Sequence, residues 1–390
     1  MSPSPWPRQS RHFALFFFAY FGYVGVFSPY ASLFFADKGM SAPQIALLVS
    51  MMQIMRIFGP NVWGWAADHT QKRVLLLRWT AGAAALSFIG MCFGSGFTSF
   101  LLLMVAVNIF ISAQGPVSEA LMLSEMQGDL SRYGQLRLWG SVGFIVVVTL
   151  GGYLLDWFGV GFMPWIALTL LTGVFMVTLR MRESLHVHRV CDGPSVLALL
   201  RRREVIAFFL STFLMIAAHA SLYVFYSLYL AQVGYSKSLI GWMWSLGVIA
   251  EIVFFYYQAP LFRRFGVRRL MLASLLLAVL RFAMIGWFAQ SLAWLLLAQV
   301  LHAATFGTHH SASVATLQRW FAGPLQARGQ ALFTSISYGL GGSLGALALG
   351  IAWDKISPAS IYFIAALMAL GAAAAAALSY RWQADRESGK

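Results

Sequence analysis

Charge is what this chain lacks. Only 10% of its 390 residues are Asp, Glu, Lys or Arg, and just 13 of those are acidic. A soluble domain carries roughly a quarter charged residues. With 59% hydrophobic residues and a mean hydropathy of +0.72, the chain has too little polar surface to cover a globule in water. A lipid bilayer is the solvent that suits it. Cysteine is nearly missing as well, and Cys92 and Cys191 make no disulfide framework. No GxxxxGK[ST] loop occurs, which argues against ATP-driven chemistry, and no HExxH pair occurs, which argues against a zincin. No nucleophile–base pair shares one depth, so an enzyme is not expected, and neither is a cofactor.

What is present is a series of apolar runs. A spanning helix needs about 20 apolar residues. Twelve runs qualify: 13–36, 43–65, 74–94, 99–122, 136–156, 161–181, 206–231, 238–259, 268–288, 292–317, 328–352 and 357–381. The first has a basic lead but reaches Pro29 and Asp37 without a small-residue cleavage site, so it is expected to be retained as the first span. Of the 27 Lys and Arg, 22 fall in segments on one side of these spans, three (Lys38, Lys237, Lys355) on the other, and two (Arg56, Arg281) inside spans. That bias makes both termini cytoplasmic. It also accounts for the net charge of +14 without any nucleic acid.

The polar stretch 182–205 splits the spans into six and six. The expected organisation is therefore residues 1–181, a cytoplasmic linker 182–205, and residues 206–390. Sliding the sequence by 195 residues lays SLFFADKGMSAPQIALLVS (32–50) over SLYLAQVGYSKSLIGWMWS (227–245). Ser32, Leu33, Ala36, Gly39, Ser41, Ile45 and Ser50 recur as Ser227, Leu228, Ala231, Gly234, Ser236, Ile240 and Ser245. The same register puts Arg56 over Glu251. Parallel repeats around a midplane site are a transporter architecture.

Residues 64–73 read GWAADHTQKR. They resemble the cytoplasmic loop motif of the major facilitator superfamily, Gly-x-x-x-Asp-Arg-x-Gly-Arg-Arg. Gly64, Asp68, Lys72 and Arg73 fit, whereas His69 and Gln71 replace the basic residue and the glycine. Gly64 is expected to allow close helix contact and Asp68 to cap a neighbouring helix N-terminus. The corresponding PLFRRFGVRR keeps the basic part and lacks the Asp.

YGQLRLWGS (133–141), GWMWSLGVIAEIVFF (241–255) and LHAATF (301–306) resemble the phenylpropionate permease branch, close to lactose permease-type proton symporters. The resemblance implies an all-α membrane protein of twelve transmembrane helices in two pseudo-symmetric halves. It also implies a Glu119–Arg137 pair and a coupling cluster of Glu251, Arg281 and His302. Thr305 stands where lactose permease has a glutamate.

The physics of the residues agrees with a special role for that cluster. An ionised group at bilayer depth costs about 2.5–3.5 kcal/mol on insertion scales. Glu251 and Arg281 lie near the middle of adjacent spans, and a pair between them is expected to offset much of that cost. Burial favours the protonated carboxyl and a nearby arginine the ionised one, so such a site can change protonation with conformation. The plainer reading is a fixed ion pair that sets helix packing. Arg56 has no carboxylate near it in sequence. Its fork suits a substrate carboxylate, or it pairs with Glu251 or reaches an interface.

Phe16, Tyr20, Tyr23, Phe27 and Tyr30 share a face of the first span, as do His219, Tyr223 and Tyr226 on the seventh, with Trp242 and Trp244 next along. These rings suit either a ring-bearing substrate or plain packing. His302, with His309 and His310 beyond it, does not suggest a metal, because seven residues of helix separate the first two by about 10 Å.

The expected function is proton-coupled symport of a small aromatic carboxylic acid by alternating access, driven by the proton gradient, in a monomer in a bacterial inner membrane. A neutral sugar or nucleoside as cargo, drug efflux by antiport, and a non-transporting sensor or scaffold remain the alternatives.

Overall fold

The computed structural model describes residues 9–126, 129–183, 197–321 and 325–388, without the side chains of residues 68, 130, 131, 197, 198 and 327. Arg8, Cys191, Lys390 and most of the expected linker lie outside the described residues. With no water to satisfy amides in hydrocarbon, a spanning segment must bond its own backbone, and the described residues form helices and no strand. The first six spans are α1 (Ser10–Asp37), α2 (Ala42–Thr70), α3 (Arg73–Phe93), α4 (Phe97–Glu125), α5 (Leu130–Phe158) and α6 (Met163–Arg180). A single turn, α7 (Leu197–Leu200), precedes the rest: α8 (Arg203–Tyr223), α9 (Tyr226–Val233), α10 (Lys237–Phe288), α11 (Leu292–His302), α12 (Thr308–Trp320), α13 (Gln326–Phe333), α14 (Gly342–Lys355) and α15 (Ser360–Glu387).

Several spans differ in detail from the expected ones. The eighth and ninth are not joined by a loop. They meet at one residue inside α10, Gly266, whose φ of 74° and ψ of 161° interrupt the helix. Such a backbone is open to glycine and strained for other residues. The seventh span is α8 and α9, interrupted at Val224 and Phe225. The tenth and eleventh each carry a π-helical stretch, Ala303–Gly307 between α11 and α12 and Thr334–Gly341 between α13 and α14. Among the described residues ten helices are long and apolar enough to cross a membrane. One of these is α10, which holds two spans, and α11 with α12 adds another.

The repeat is visible in the backbone. At the offset of 195 residues the first residues of α2 and α4, Ala42 and Phe97, fall on Lys237 and Leu292, which open α10 and α11. The last residues of α3 and α4, Phe93 and Glu125, fall on Phe288 and Trp320, which close α10 and α12. The caps repeat too. Gly39 and Gly234 both have positive φ, 76° and 109°. Behind them Met40 N–H donates to Phe35 O and Tyr235 N–H to Leu230 O, each at 3.0 Å. This is the left-handed C-cap that glycine makes without steric cost. Ser41 and Ser236 then open the next helices, with Ile45 N–H on Ser41 O at 2.9 Å and Ile240 N–H on Ser236 O at 3.0 Å.

The described residues form two compact units. One takes those within Met1–Met40, Phe58–Val190 and Ser236–Gly241, the other those within Ser41–Ile57, Cys191–Tyr235 and Trp242–Lys390. The first part of α2 thus belongs to the second unit, and the first residues of α10 to the first. Lipid gives no hydrophobic drive for helices to associate, so small residues let backbones approach and gain dispersion. In the first unit α1 lies on α5, where a methyl on Gly25 would stand 2.8 Å from Phe144 O. In the second unit α8 lies on the eleventh span, where methyls on Gly341 and Gly345 would stand 2.7 Å from Phe213 O and 2.5 Å from Ala217 Cα. On its other side α8 meets the alanine-rich α15, and Ser211 Oγ donates to Ala372 O at 2.7 Å.

Candidate functional site

The polar residues at depth gather in the second unit. Gly247 and Glu251 lie one turn apart on α10, so they share a face. A methyl on Gly247 would stand 3.2 Å from Gln299 Oε1 and 3.5 Å from His302 Cδ2. The missing side chain lets α11 come close enough for His302 Nε2 to reach 3.2 Å from Glu251 Oε1. Both side chains are largely buried, 17% exposed for Glu251 and 12% for His302. The contact is at ion-pair distance without hydrogen-bond alignment, and Glu251 Oε1 and His302 Nδ1 have no hydrogen-bond partner among the described residues.

The expected Glu251–Arg281 ion pair is not formed. Arg281 is 1% exposed, and its Nε donates to Ala298 O at 2.6 Å while Nη1 lies 3.5 Å from Thr305 Oγ1. Thr305 donates in turn to His302 O at 3.1 Å. The backbone carbonyl fixes the guanidinium on the α11 side, and a hydroxyl receives it where a carboxylate would have competed. Arg281 is the permanent charge beside the cluster, and His302 is the direct partner of Glu251.

The histidine rings extend from that contact. His302 stacks on Phe306 with centroids 5.3 Å apart and planes 6° apart. Phe306 lies 6.4 Å from the His310 ring at 17°, and His310 Nδ1 is 3.0 Å from Tyr338 Oη. Phe306 and Tyr338 sit in the two π-helical stretches and meet edge to face at 6.5 Å. Such stretches recur at functional sites because the altered register re-aims side chains. His219 closes the other side, 6.1 Å from His302 and 5.3 Å from Phe306. Its Nδ1 lies 2.9 Å from Met215 O and so carries the proton, which leaves Nε2 an acceptor with no partner among the described residues. Ser311 donates to Gln258 at 2.7 Å nearby.

Of the rings expected on the seventh span, His219 and Tyr226 are buried here as well and Tyr223 is half-buried. Tyr223 stacks on Trp244 at 6.4 Å, Tyr226 meets Trp244 at 6.0 Å, and Trp244 Nε1 donates to Ser227 at 2.9 Å. Tyr226 Oη lies beside the Gln299 side chain, and neither Tyr226 Oη nor Gln299 Nε2 makes a well-aligned hydrogen bond with the described residues. Buried polar atoms are normally hydrogen-bonded. Five atoms without a well-formed hydrogen bond lie on His219, Tyr226, Glu251, Gln299 and His302, all in this unit. Arg56 belongs to the same unit. It is exposed, and its guanidinium stands 5.6 Å from the centre of the Tyr338 ring. It forms no ion pair with Glu251.

The other expected residues lie in the first unit. Arg137 Nε donates to Glu119 Oε1 at 3.3 Å, and the guanidinium stacks 3.9 Å above the Phe21 ring. Tyr23 and Phe27 are fully buried and pack edge-on against Phe88 of α3. Tyr20 is half-buried and stacks on Phe16 at 6.0 Å. Periodicity found the shared face of α1, and for Tyr23 and Phe27 that face is helix packing. Tyr30 ties the unit together by donating to Val148 O at 2.8 Å and Lys237 O at 3.1 Å.

In the loop motif, Gly64 does not mediate close contact: a methyl there would meet nothing within 4 Å. The side chain of Asp68 lies outside the described residues. Lys72 precedes α3 and Arg73 opens it, buried. A carboxylate that the sequence did not single out, Glu183, accepts from Val74 N–H at 3.1 Å at that helix start. Gln71 adopts φ 53°, the one non-glycine residue with positive φ among those described. The glycine of the motif is thus explained by backbone geometry that glutamine here adopts under strain. Sequence reasoning also missed Tyr338, Phe306, Gln258 and Ser311; the last two were detectable as polar groups inside apolar spans. Among the described residues no group of His, Cys, Asp and Glu is arranged to hold a metal.

Comparison with known proteins agrees with this architecture. The model of the MFS_1 like family matches residues 11–364. The chain is 29% identical over 379 residues to the "Probable 3-phenylpropionic acid transporter" of Escherichia coli strain K12, covering 94% of this chain and 96% of that protein. It is 26% identical to the maltose permease of Geobacillus stearothermophilus, covering 92% and 91%. A crystal structure of the nucleoside transporter NupG superposes with a TM-score of 0.86 at 16% identity, covering 96% of this chain and 100% of that one. These similarities and the helical repeat make the chain a multi-pass membrane transporter and not an enzyme. It belongs to the MFS_1 like family of the major facilitator superfamily.

Proposed function

We propose that the protein is a proton-coupled symporter of a small aromatic carboxylic acid, working by alternating access between residues 1–181 and 206–390 about the linker 182–205. It works as a monomer in a bacterial inner membrane with both termini cytoplasmic. One observation carries the coupling: Glu251 and His302 of the second unit, both largely buried, are in contact at 3.2 Å with hydrogen-bonding capacity to spare. A proton on His302 turns a contact between a carboxylate and a neutral imidazole into an ion pair, and a proton on Glu251 removes the carboxylate charge, so either one alters the cost of the buried contact. Glu119 and Arg137 support that cycle as a fixed pair in the first unit that takes up no proton itself. The cargo carboxylate goes to Arg56, whose fork is exposed, and the ring-bearing part to Tyr223, Tyr226, Trp244 and His219 of the same unit.

The substrate class rests on the name of the Escherichia coli relative. The neighbouring Tyr226 hydroxyl and Gln299 amide, poorly aligned with each other, favour a second reading, a hydroxyl-rich neutral cargo such as a sugar or nucleoside. Uptake of labelled 3-phenylpropionate, maltose and uridine into proteoliposomes, with and without an inward proton gradient, separates the two. Gradient-driven accumulation of the acid alone supports the first. Accumulation of maltose or uridine in its place replaces the substrate and keeps the coupling. Uptake indifferent to the proton gradient sinks the coupling.

A further inference from the structure

The two repeats differ sharply at one turn remote from Glu251. In the first unit, the start of α3 is met by the chain's own carboxylate, Glu183. At the offset of 195 residues, Val74 and Glu183 fall on Arg269 and Leu378. No acid replaces Glu183 there. Instead the turn at Gly266 opens onto a cavity of about 730 Å³. Arg268 and Arg269 line it from α10, Thr316 and Arg319 from α12, and Tyr380 and Gln383 from α15. Arg319 is already engaged, with Nη2 2.8 Å from Glu387 Oε1 on α15. Gln383 supports the same carboxylate at 3.0 Å. Arg268 and Arg269 form no ion pair with any described residue, so two unopposed guanidinium groups face a space large enough for a headgroup.

We infer that this cavity binds a phosphate group. Guanidinium forks match phosphate oxygens bidentately, and the Tyr380 hydroxyl and Gln383 amide are additional donors. Two sources present the same chemistry: the headgroup of an anionic phospholipid and a soluble phosphate. Position favours the lipid. The cavity lies where the spans of α10 end, and the preceding turns of α10 expose Tyr257, Leu261 and Phe265 at 61%, 37% and 42%. A glycerol and its acyl chains would lie along those side chains while the phosphate reaches Arg268 and Arg269. Basic pockets between spans are where anionic headgroups bind. Glu387 also lines the cavity, and a phosphate would compete with it for Arg319.

The test uses the full-length protein in detergent, stripped of lipid and titrated with phosphatidylglycerol or phosphatidylcholine under native mass spectrometry. Wild type is compared with the Arg268→Gln/Arg269→Gln double variant and with Arg381→Gln, an exposed arginine on α15 outside the cavity. The expected result is a one-to-one phosphatidylglycerol adduct that phosphatidylcholine does not match. The double variant should bind it roughly thirtyfold more weakly, the effect of losing two basic contacts, and Arg381→Gln should bind as wild type. Displacement of the lipid by millimolar inorganic phosphate, or binding of phosphate without the lipid, supports the phosphate site and identifies the soluble source as able to fill it. Equal retention by wild type and the double variant overturns the proposal, as does a wild type that prefers neither the anionic lipid nor phosphate. Should the double variant fail to fold, wild-type retention at 50 and 500 mM salt decides, because an arginine-held phosphate must weaken with salt and a lipid held by its tails must not.

Discussion

The two repeats share a backbone and not a chemistry. Helix starts and ends coincide at one offset, and the same left-handed glycine, Gly39 and Gly234, ends the first helix of each. Yet at that offset Glu251 falls on Arg56, His302 on Val107 and Arg281 on Leu86, while Glu119 and Arg137 fall on Val314 and Leu332. Among the described residues the π-helical stretches occur only in the second repeat; the matching parts of α4 and α5 are plain α-helix. The acid–base contacts differ in kind. Glu119 meets an arginine, aligned at 3.3 Å, with side chains 38% and 32% exposed. Glu251 meets a histidine, misaligned at 3.2 Å and far more buried. Arginine stays charged at any physiological pH, whereas histidine titrates. Turn geometry keeps the repeats alike, because few residues can make those turns. Side chains that line a site are free to diverge, and here one repeat has taken the titratable pair.

The sharpest way to break that asymmetry is to neutralise one acid in each repeat. Glu251→Gln is expected to lose proton-driven accumulation altogether while keeping exchange of labelled for unlabelled cargo, because the mutant still alternates but carries no proton. Glu119→Gln should keep accumulation. It leaves Arg137 stacked on Phe21, and an ion pair this exposed contributes about 0–1 kcal/mol. Uptake and exchange in the same proteoliposomes check both. If Glu119→Gln also uncouples transport, the proton is not confined to the second repeat.

Arg56 and Tyr338 test the cargo end of the same site. Arg56→Gln is expected to weaken binding of a carboxylate cargo by about 10- to 100-fold, the loss of a charge-assisted fork. It should leave a neutral analogue, the corresponding amide, unaffected. Tyr338→Phe keeps the ring beneath Arg56 and removes the hydroxyl from His310. A net hydrogen bond of about 1 kcal/mol predicts a change of roughly fivefold in apparent affinity. Competition binding with acid and amide reads both variants. Equal losses for acid and amide in Arg56→Gln would reassign that arginine to packing.

Much of this was legible in the sequence. Runs of apolar residues and the one-sided placement of arginine give the spans, and the matched Gly39 and Gly234 give the repeat, because both signals are local. What was not legible depends on three-dimensional choice. Glu251 had two basic candidates on adjacent spans. Only the short reach between Ala298 O and Thr305 Oγ1 decides that Arg281 is held away and His302 comes to the acid. The π-helical stretches AATFG and TSISYGLG have no local signature that separates them from α-helix, since they differ in hydrogen-bond register and not in apolar period. The stripe on α1 was a true face, but periodicity cannot say what a face meets, and Phe88 supplied the answer for Tyr23 and Phe27.

The smallest effect comes from the turn where the repeats coincide in shape and differ in residue. Gln71 and Gly266 occupy equivalent positions at the 195-residue offset, with φ of 53° and 74°. A left-handed backbone costs a side chain-bearing residue about 1–2 kcal/mol, and glycine escapes that cost while losing more chain entropy on folding. Gln71→Gly should therefore stabilise the first repeat by about 0.5–1 kcal/mol net. Gly266→Gln should destabilise the second by at least as much, since its ψ of 161° puts it outside the small left-handed helical region as well. Transport by Gln71→Gly should be unchanged, because the turn touches neither Glu251 nor Arg56. Thermal melts of the two single variants and the double exchange measure this directly. Opposite signs for the two singles would show that the shared backbone sets which residue each turn prefers. A melting temperature that falls in Gln71→Gly would mean that contacts of the glutamine side chain outweigh its backbone strain.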